Sequence, residues 1–421
     1  MHKTGKEKEK AVLITVDGAV RTSWRLEDRV DELNRLTRAC GVDVAGNMKC
    51  SVKRVTPDLF IGKGKAEEIS LLIKEKKAAV AVFNNDLSPS QQKNLEKVFE
   101  VKIIDRTQLI LDIFSRRASS KEGKVQVELA QLMYLLPRLS RMWLHLSRQR
   151  GGIGTRGPGE QQLEVDRRRV REKISVLKKK LKDIRKHRDA ARLGRGRFSS
   201  FSIALVGYTN SGKSTLFNAL TDSSVKVKDQ LFSTLDPVIR KIDLTGNRNA
   251  VISDTVGFLR ELPHHLIESF KTTLEETVNA DILLHVMDMS SDCMDEQKEA
   301  VHKVLDELKV KDKPLITVLN KSDKMTGFRD KERIIRKNDG SVMISALKRE
   351  GITELKDRII QFVDLEEEDI EIVLPHKHYA LSKLIYDHGT VKHEEYQEKG
   401  LYIKARLPKK VKYALFKQMK R

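Results

Sequence analysis

The residues with the clearest chemical potential lie in the stretch IALVGYTNSGKSTLFNAL, residues 203–220, where the spacing GxxxxGKS follows an apolar run. A glycine-rich turn between a strand and a helix presents backbone N–H groups and a helix N-terminus, and both bind phosphate. We expect Lys213 to reach the β and γ phosphates of a nucleotide and Ser214 to bind Mg²⁺. The residues predicted to cradle the nucleotide are Gly207, Tyr208, Thr209, Asn210, Ser211, Gly212, Lys213, Ser214 and Thr215.

A second motif indicates the base. TVLNKSD places Asn320, Lys321 and Asp323 at the end of a predicted strand. A carboxylate accepts hydrogen bonds from guanine N1–H and from the exocyclic amine, and adenine has neither donor at those positions. These motifs predict GTP and GDP as ligands rather than ATP. The stretch ISAL, after a further strand, completes the predicted base pocket with Ser345, Ala346 and Leu347.

The segment between these motifs predicts the parts that sense the γ phosphate. Two strands joined by a tight turn in VIRKIDLTGNRNAVISDTVG must pair antiparallel, which indicates the translation-factor-related class of P-loop GTPases. We expect Asp254 to hold Mg²⁺ through water and the Gly257 N–H to contact the γ phosphate. Thr234 in LFSTLDP is the predicted switch threonine, and Thr245 in the turn is its rival. We assign a catalytic role to Lys213, Thr234 and Gly257. We assign a metal-binding role to Ser214, Thr234 and Asp254.

One residue departs from this chemistry. In DTVGFLRELP, Phe258 follows Gly257, where many GTPases have a glutamine that orients the attacking water. A phenyl ring cannot hydrogen-bond that water, so we expect slow turnover by the protein alone and help from another group.

The segments before the phosphate loop predict the elements that position it. In residues 1–118, AVLITVDG, AAVAVFNND and VKIID predict three strands, alternating with helices over 26–39 and 88–99. IGKGK lacks the phosphate-loop spacing and predicts a turn before a helix. We therefore expect a small N-terminal α/β domain over 1–118.

Residues 119–197 predict two long helices with matching apolar seams, which form an antiparallel hairpin with arms of about 40 to 50 Å. Pro137 is expected to kink the first helix. The connection RQRGGIGTRGPGE, residues 148–160, is longer than a helix hairpin needs, so it is either a flexible connector or a loop whose backbone approaches phosphates and bases. The seam residues are Val125, Leu129, Leu132, Leu136, Leu139, Trp143 and Leu146, then Leu163, Val170, Ile174, Leu177, Leu181, Ile184 and Ala191.

The composition favours a polyanionic partner. The 421 residues include 81 Lys and Arg against 60 Asp and Glu, a net charge of +21. Residues 160–197 carry 15 basic against 6 acidic residues, and residues 372–421 carry 12 against 4. The three cysteines form no CxxC pair, and no apolar run is long enough for a signal peptide or a membrane span. We expect a soluble cytoplasmic protein, and nothing in the sequence argues against a monomer.

The predicted fold is therefore a multidomain α/β chain. It consists of the small N-terminal α/β domain with its long antiparallel helical hairpin, a P-loop GTPase domain over 198–366, and a small basic C-terminal α/β domain over 367–421.

With these motifs in place, the chain resembles the HflX family of ribosome-associated GTPases, in the Obg-HflX superfamily, along nearly its whole length. In the GTPase domain the resemblance rests on GYTNSGKSTLFNAL, FSTLDP and DTVGFLRELP. The more diagnostic stretches lie outside it: IGKGKAEEI, LSPSQQKNLE, IDRTQLILDIF, VELAQLMYLLPRL and GGIGTRGPGEQQLEVDRRR.

The resemblance implies a factor that binds the large ribosomal subunit in the GTP state, splits stalled or stressed ribosomes, and is released after hydrolysis. It implies that the glycine loop reaches 23S-type rRNA near the peptidyl-transferase region. It also implies that the ribosome or a rearranged switch supplies the group that Phe258 lacks. The implied RNA contacts are Arg148, Arg150, Gly151, Gly152, Gly154, Arg156 and Gly157.

Two other readings remain open. An assembly or hibernation factor would use GTP as an occupancy signal without splitting ribosomes, but it would not need so long a hairpin and loop. A tRNA-modifying or membrane-associated GTPase is disfavoured, because the sequence has no catalytic cysteine motif and no amphipathic anchor.

Overall fold

The structure is a computed structural model that describes residues 9–18, 22–142, 158–194, 201–222, 231–232, 234–244, 248–261, 263, 266, 269–270, 274–325 and 327–419. Its strands form three sheets, which we assign to an N-terminal unit (9–194), a central unit (201–365) and a C-terminal unit (366–419). The strands are β1 (Lys10–Asp17), β2 (Asp43–Ser51), β3 (Val80–Phe83), β4 (Lys102–Ile104), β5 (Phe201–Val206), β6 (Val238–Leu244), β7 (Arg248–Asp254), β8 (Ile282–Asp288), β9 (Leu315–Asn320), β10 (Val342–Met343), β11 (Glu367–Leu374), β12 (Thr390–Gln397) and β13 (Gly400–Pro408).

Helices connect and cover these sheets, in the order expected for α/β units. Short 3₁₀ turns at Ser322–Lys324 and His376–Leu381 supplement them. The α-helices of the described residues are α1 (Leu26–Ala39), α2 (Lys63–Glu75), α3 (Pro89–Phe99), α4 (Arg106–Arg117), α5 (Lys121–Met142), α6 (Pro158–Gly194), α7 (Lys213–Thr221), α8 (Glu275–Asn279), α9 (Met294–Glu307), α10 (Phe328–Lys337), α11 (Ile352–Leu365), α12 (Ser382–His388) and α13 (Lys409–Met419).

The N-terminal sheet has four parallel strands in the order β2-β1-β3-β4. The sequence-based prediction of three strands was wrong, because it omitted β2. This strand lies at the sheet edge and contains Gly46 and Asn47, so its sequence DVAGNMKCS lacks a regular apolar alternation. Helix α3 begins as predicted: Ser88 accepts a hydrogen bond from the Gln91 amide in a capping box, with Pro89 in the first turn.

The apolar seams of α5 and α6 pack together over the described part of the predicted hairpin. Val125 and Leu129 of α5 form one buried cluster with Leu177 and Leu181 of α6. Residues 143–157, which include Trp143, Leu146 and most of the glycine loop, lie outside the described residues. The antiparallel hairpin as a whole and its tip therefore stay predictions.

The central sheet has six strands in the order β10-β9-β8-β5-β7-β6. Only β6 runs antiparallel to its neighbour β7 among these described strands, so the predicted antiparallel pair is confirmed. Thr245 and the rest of the turn between the two strands lie outside the described residues. The C-terminal sheet, β11-β13-β12, is antiparallel and packs against α12 and α13.

One hydrophobic core is shared by the N-terminal and central units. Phe114 of α4 packs edge-on against Phe232 and Phe270, with ring centroids 4.6 and 4.8 Å apart. Leu109 and Ile110 of α4 belong to the same buried cluster. The segments that surround the predicted nucleotide site in the central unit are therefore packed on the N-terminal unit.

Candidate functional site

The phosphate loop lies between the end of β5 and the start of α7. Gly212 adopts the left-handed conformation (φ 96°) directly before α7, and a methyl group there would lie 2.2 Å from Asn320 Nδ2, so only glycine fits. The Lys213 ammonium donates to the Gly207 and Tyr208 carbonyls at 3.1 and 2.8 Å. Burial lowers the pKa of Lys213 to about 8, although Asp254 opposes this shift.

A cleft opens over this loop and brings several predicted residues together. Its walls come from the phosphate loop and from the two segments predicted to sense the γ phosphate. The lining residues are Thr209, Asn210, Gly212, Lys213, Ser214, Thr215, Phe232, Thr234, Thr255 and Gly257.

Three oxygen ligands converge at the position predicted for the metal. Ser214 Oγ lies 2.6 Å from Asp254 Oδ2 and 2.9 Å from Thr234 Oγ1, and Thr234 Oγ1 lies 3.0 Å from Asp254 Oδ2. Asp254 Oδ1 is buried and has no hydrogen-bond partner among the described residues. Two hydroxyls and an orphaned carboxylate oxygen are donors that Mg²⁺ accepts, so the residues fit that ion.

The loop that carries Asn320 and Lys321, which is predicted to bind the base, is hydrogen-bonded to the phosphate loop. Asn320 Nδ2 donates to the Ser211 carbonyl at 2.9 Å, and the Lys321 ammonium donates to the Asn210 carbonyl at 2.8 Å. These contacts hold the predicted base pocket at a fixed distance from the phosphate site. They use side chains that the sequence assigned to nucleotide binding, but here the partners are backbone atoms of the other loop.

Asp323, which is predicted to recognise the base, is held by the ISAL stretch. Ser345 Oγ donates to Asp323 Oδ1 at 2.6 Å, and this bond holds the pKa of Asp323 below its ordinary value. The Ala346 amide donates to Asn320 Oδ1 at 3.0 Å. Leu347, the last residue assigned to the pocket, is 75% exposed. The Asp323 carboxylate is thus charged and partly open to a ligand.

Phe258 lies in the shared core. Its side chain is 1% exposed and belongs to the cluster that includes Phe114 and Phe232. Its backbone pairs with the phosphate loop: Phe258 N donates to the Gly207 carbonyl at 3.1 Å, and Thr209 N donates to the Phe258 carbonyl at 2.7 Å. Phe258 is therefore a packing residue that joins the two units, and its ring does not line the cleft.

The structure also shows contacts between a segment beside the site and the N-terminal unit that the sequence-based analysis missed. Asp236, two residues after Thr234, accepts hydrogen bonds from the amides and hydroxyls of Ser119 and Ser120 at 2.5 to 2.9 Å, directly before α5. These bonds lower the pKa of Asp236 against the opposing effect of burial. The only signal in the sequence was the position of Asp236 in LFSTLDP.

The predicted RNA contacts cannot be placed, because they lie outside the described residues: Arg148, Arg150, Gly151, Gly152, Gly154, Arg156 and Gly157. Within the described ranges, no three His, Cys, Asp or Glu side chains form a metal-binding group. No helix in that part of the chain combines the length and apolar character needed to cross a membrane.

Comparisons with known proteins cover nearly all of the chain. Residues 27–115 match the family model for the GTP-binding GTPase N-terminal region, residues 117–195 match the GTP-binding GTPase middle region, and residues 202–321 match the model described as 50S ribosome-binding GTPase.

Individual relatives extend this match. GTPase HflX of Caldanaerobacter subterraneus subsp. tengcongensis is 42% identical over 99% of this chain and 95% of its own length. GTPase HflX of Escherichia coli K12 is also 42% identical, over 91% of this chain and 90% of its own length. A GTP-binding protein from Sulfolobus solfataricus, solved in complex with GDP, is 25% identical over 84% of this chain and 98% of its own, with a TM-score of 0.43. Because the bacterial relatives match both the phosphate-binding half and the N-terminal half, this chain belongs to the GTPase HflX family.

Proposed function

We propose that the protein binds the large ribosomal subunit in its GTP state and splits stalled or stressed ribosomes, with GTP hydrolysis allowing release. The observation that carries this proposal is the contact between the nucleotide-sensing segments and the N-terminal unit. Asp236 binds Ser119 and Ser120 at the base of α5, and Phe232 packs on Phe114. A change of nucleotide therefore has a direct physical route to the predicted arm.

Family membership supports the ribosome as the partner. The match includes the N-terminal half as well as the GTPase half, and one of the matching families is described as 50S ribosome-binding. The charge supports an RNA surface, because residues 160–197 carry 15 basic against 6 acidic residues. We propose that Arg148, Arg150 and Arg156, with the glycines between them, contact rRNA near the peptidyl-transferase region.

In the proposed reaction, GTP lies over the phosphate loop and Asp323 recognises guanine. Ser214 and Thr234 would hold Mg²⁺ directly and Asp254 would hold it through water, and the bound ion would supply positive charge to the β and γ phosphates. Lys213 turns from the loop carbonyls to these phosphates, and the Gly257 N–H contacts the γ phosphate. Because the Phe258 ring cannot hydrogen-bond the attacking water, the protein alone turns over slowly, and the large subunit accelerates the reaction.

The proposed setting is the cytoplasm, with the protein acting as a monomer. The competing function is an assembly or hibernation factor that occupies the subunit without splitting ribosomes. The length of α6, 37 residues, favours splitting, because a long arm lets the tip act far from the GTPase unit.

Ribosome splitting tests the proposal directly. Intact ribosomes are incubated with GTP and the protein, and the subunits are separated on a density gradient at matched salt. The test variant has a shortened loop over residues 151–159. It should bind GTP normally but fail to split ribosomes. In parallel, GTP turnover should rise on addition of isolated large subunits. Subunit binding without splitting by the parent protein would establish the occupancy function instead, and splitting by the shortened variant would make the loop a plain connector.

A further inference from the structure

Glu32 is a buried carboxylate of α1, in the N-terminal unit, that contacts both loops of the GTPase site. Its Oε1 accepts hydrogen bonds from Arg260 Nε at 2.9 Å and from Arg106 Nη2 at 2.6 Å. Its Oε2 accepts a hydrogen bond from the Tyr208 hydroxyl. Tyr208 belongs to the phosphate loop, and Arg260 follows Gly257 by three residues. One side chain of the N-terminal unit therefore joins the two segments that enclose the γ phosphate.

The contacts of Glu32 depend on its negative charge. Burial opposes ionisation of Glu32, but Arg106 and Arg260 outweigh it and hold the pKa of Glu32 below its ordinary value. Burial and the Glu32 charge raise the pKa of Tyr208 well above its ordinary range, so its hydroxyl keeps its proton and donates. Two guanidiniums share one charged carboxylate away from water. Loss of that charge would leave both guanidiniums, among the described residues, only their longer ion pairs with the half-exposed Glu261 carboxylate, at 3.7 Å from Arg106 and 3.9 Å from Arg260.

Other contacts fix Arg260 on the N-terminal unit. Its Nη2 donates to Asn84 Oδ1 at 3.0 Å, and its guanidinium lies 5.8 Å from the centre of the Trp24 ring. Its backbone N–H donates to the Tyr208 hydroxyl at 3.3 Å. The Trp24 ring in turn lies 5.7 Å from the Tyr208 ring. Both the side chain and the backbone of Arg260 are held.

Arg260 is close in sequence to Gly257, the residue whose backbone N–H is predicted to contact the γ phosphate. Arg260 lies two residues after Phe258, whose backbone is paired with Gly207 and Thr209 of the phosphate loop. Because Phe258 offers no side-chain group to the attacking water, the site depends on where the backbone at Gly257 is held. A fixed Arg260 restricts the backbone at Gly257 through only two intervening residues.

We infer that Glu32 is a positioning residue for GTP hydrolysis: from the N-terminal unit it fixes Arg260 and so holds residues 257–258 on the phosphate loop. The inference rests on the GTPase reaction of the proposed function. It is independent of ribosome splitting, because the reaction is measured without ribosomes.

The test compares full-length variants in single-turnover GTP hydrolysis, with GDP affinity and thermal unfolding measured on the same samples. Glu32→Gln keeps the size of the side chain and removes its charge. We expect hydrolysis at least about tenfold slower, with GDP affinity within about threefold of the parent, because the amide oxygen of Gln can still accept the Tyr208 hydrogen bond and so keep the phosphate loop in place. The control is Gln91→Ala, which removes two side-chain hydrogen bonds within the N-terminal unit: Gln91 Oε1 accepts from the Ser88 amide, and Gln91 Nε2 donates to the Thr56 carbonyl.

The control should unfold at a lower temperature but hydrolyse GTP at the parent rate. If Glu32→Gln behaves like the control, Glu32 only stabilises the packing of the two units and the inference is wrong. Faster hydrolysis would also overturn it, because Glu32 would then restrain the site. If Glu32→Gln does not fold, Arg260→Lys decides the question. It keeps a positive charge but cannot make both the Glu32 and the Asn84 hydrogen bonds of the guanidinium, and a rate equal to the parent's would refute the inference, whereas a rate about threefold lower with unchanged GDP affinity would support it.

Discussion

Gly257 offers a quantitative test of how residues 257–258, here called the switch, pack on the phosphate loop. In the seated form of the switch, the backbone of Phe258 is hydrogen-bonded to the phosphate loop. A methyl group on Gly257 would lie 2.8 Å from Thr209 Cα and 3.1 Å from Lys213 Nζ, whereas ordinary contact begins at 3.4 Å. The Thr209 contact is with backbone, which cannot rotate away. Gly257→Ala must therefore separate the two segments by about 0.6 Å, the difference between the first distance and ordinary contact.

This separation would break backbone hydrogen bonds beside the site. The bond from Phe258 N to the Gly207 carbonyl is 3.1 Å long, and an added 0.6 Å would take it beyond hydrogen-bonding distance. An unmade buried hydrogen bond costs about 1 to 3 kcal/mol. The seated form of the switch should therefore become about 5- to 150-fold less populated, since 1.4 kcal/mol corresponds to about tenfold.

The assay is equilibrium binding of fluorescent GDP and of a non-hydrolysable GTP analogue, followed by single-turnover hydrolysis. Gly257→Ala should bind GDP within about threefold of the parent but lose affinity for the GTP analogue by the factor above, because only the γ phosphate needs the seated switch. The control is Gly64→Ala in α2, where an added methyl group meets no atom within 4 Å. If Gly257→Ala binds and hydrolyses GTP as Gly64→Ala does, the switch is not seated as the structure shows.

Two further predictions concern the ligand itself. Asp323→Asn should weaken GTP binding at least about 100-fold and improve binding of xanthosine triphosphate, because an amide can donate to the xanthine C2 carbonyl. Undiminished GTP affinity would show that Asp323 is not part of the base pocket. Nucleotide affinity should also fall above about pH 8, because the pKa of Lys213 is lowered to about 8 and bound phosphates require its charged form. Below that pH the lysine is already protonated, whereas above it binding must take up a proton, so affinity should drop about tenfold between pH 7 and pH 9. A dissociation constant that is flat over this range would refute a titrating Lys213.

The parts of the molecule that depend on local spacing could be predicted from the amino-acid sequence. GxxxxGKS fixes a turn between a strand and a helix, because glycine conformations and a helix N-terminus are local properties. The tight connection between β6 and β7 fixed their antiparallel pairing in the same way. The resemblance identified the family, since it drew on motifs along the whole chain. The edge strand β2 was missed because nothing in its own residues marks it as a strand.

The surroundings of the site depend on long-range packing. The sequence indicates that Phe258 lacks the amide of a catalytic glutamine, and the fold adds that its ring is buried between two units, which its sequence position could not reveal. Glu32 and Arg260 lie 228 residues apart, and Asp236 lies 116 residues from Ser120. Contacts at such separations leave no periodic signal in the sequence. They exist because the N-terminal and central units share one hydrophobic core, and that packing brings distant charges and hydroxyls to the nucleotide switches.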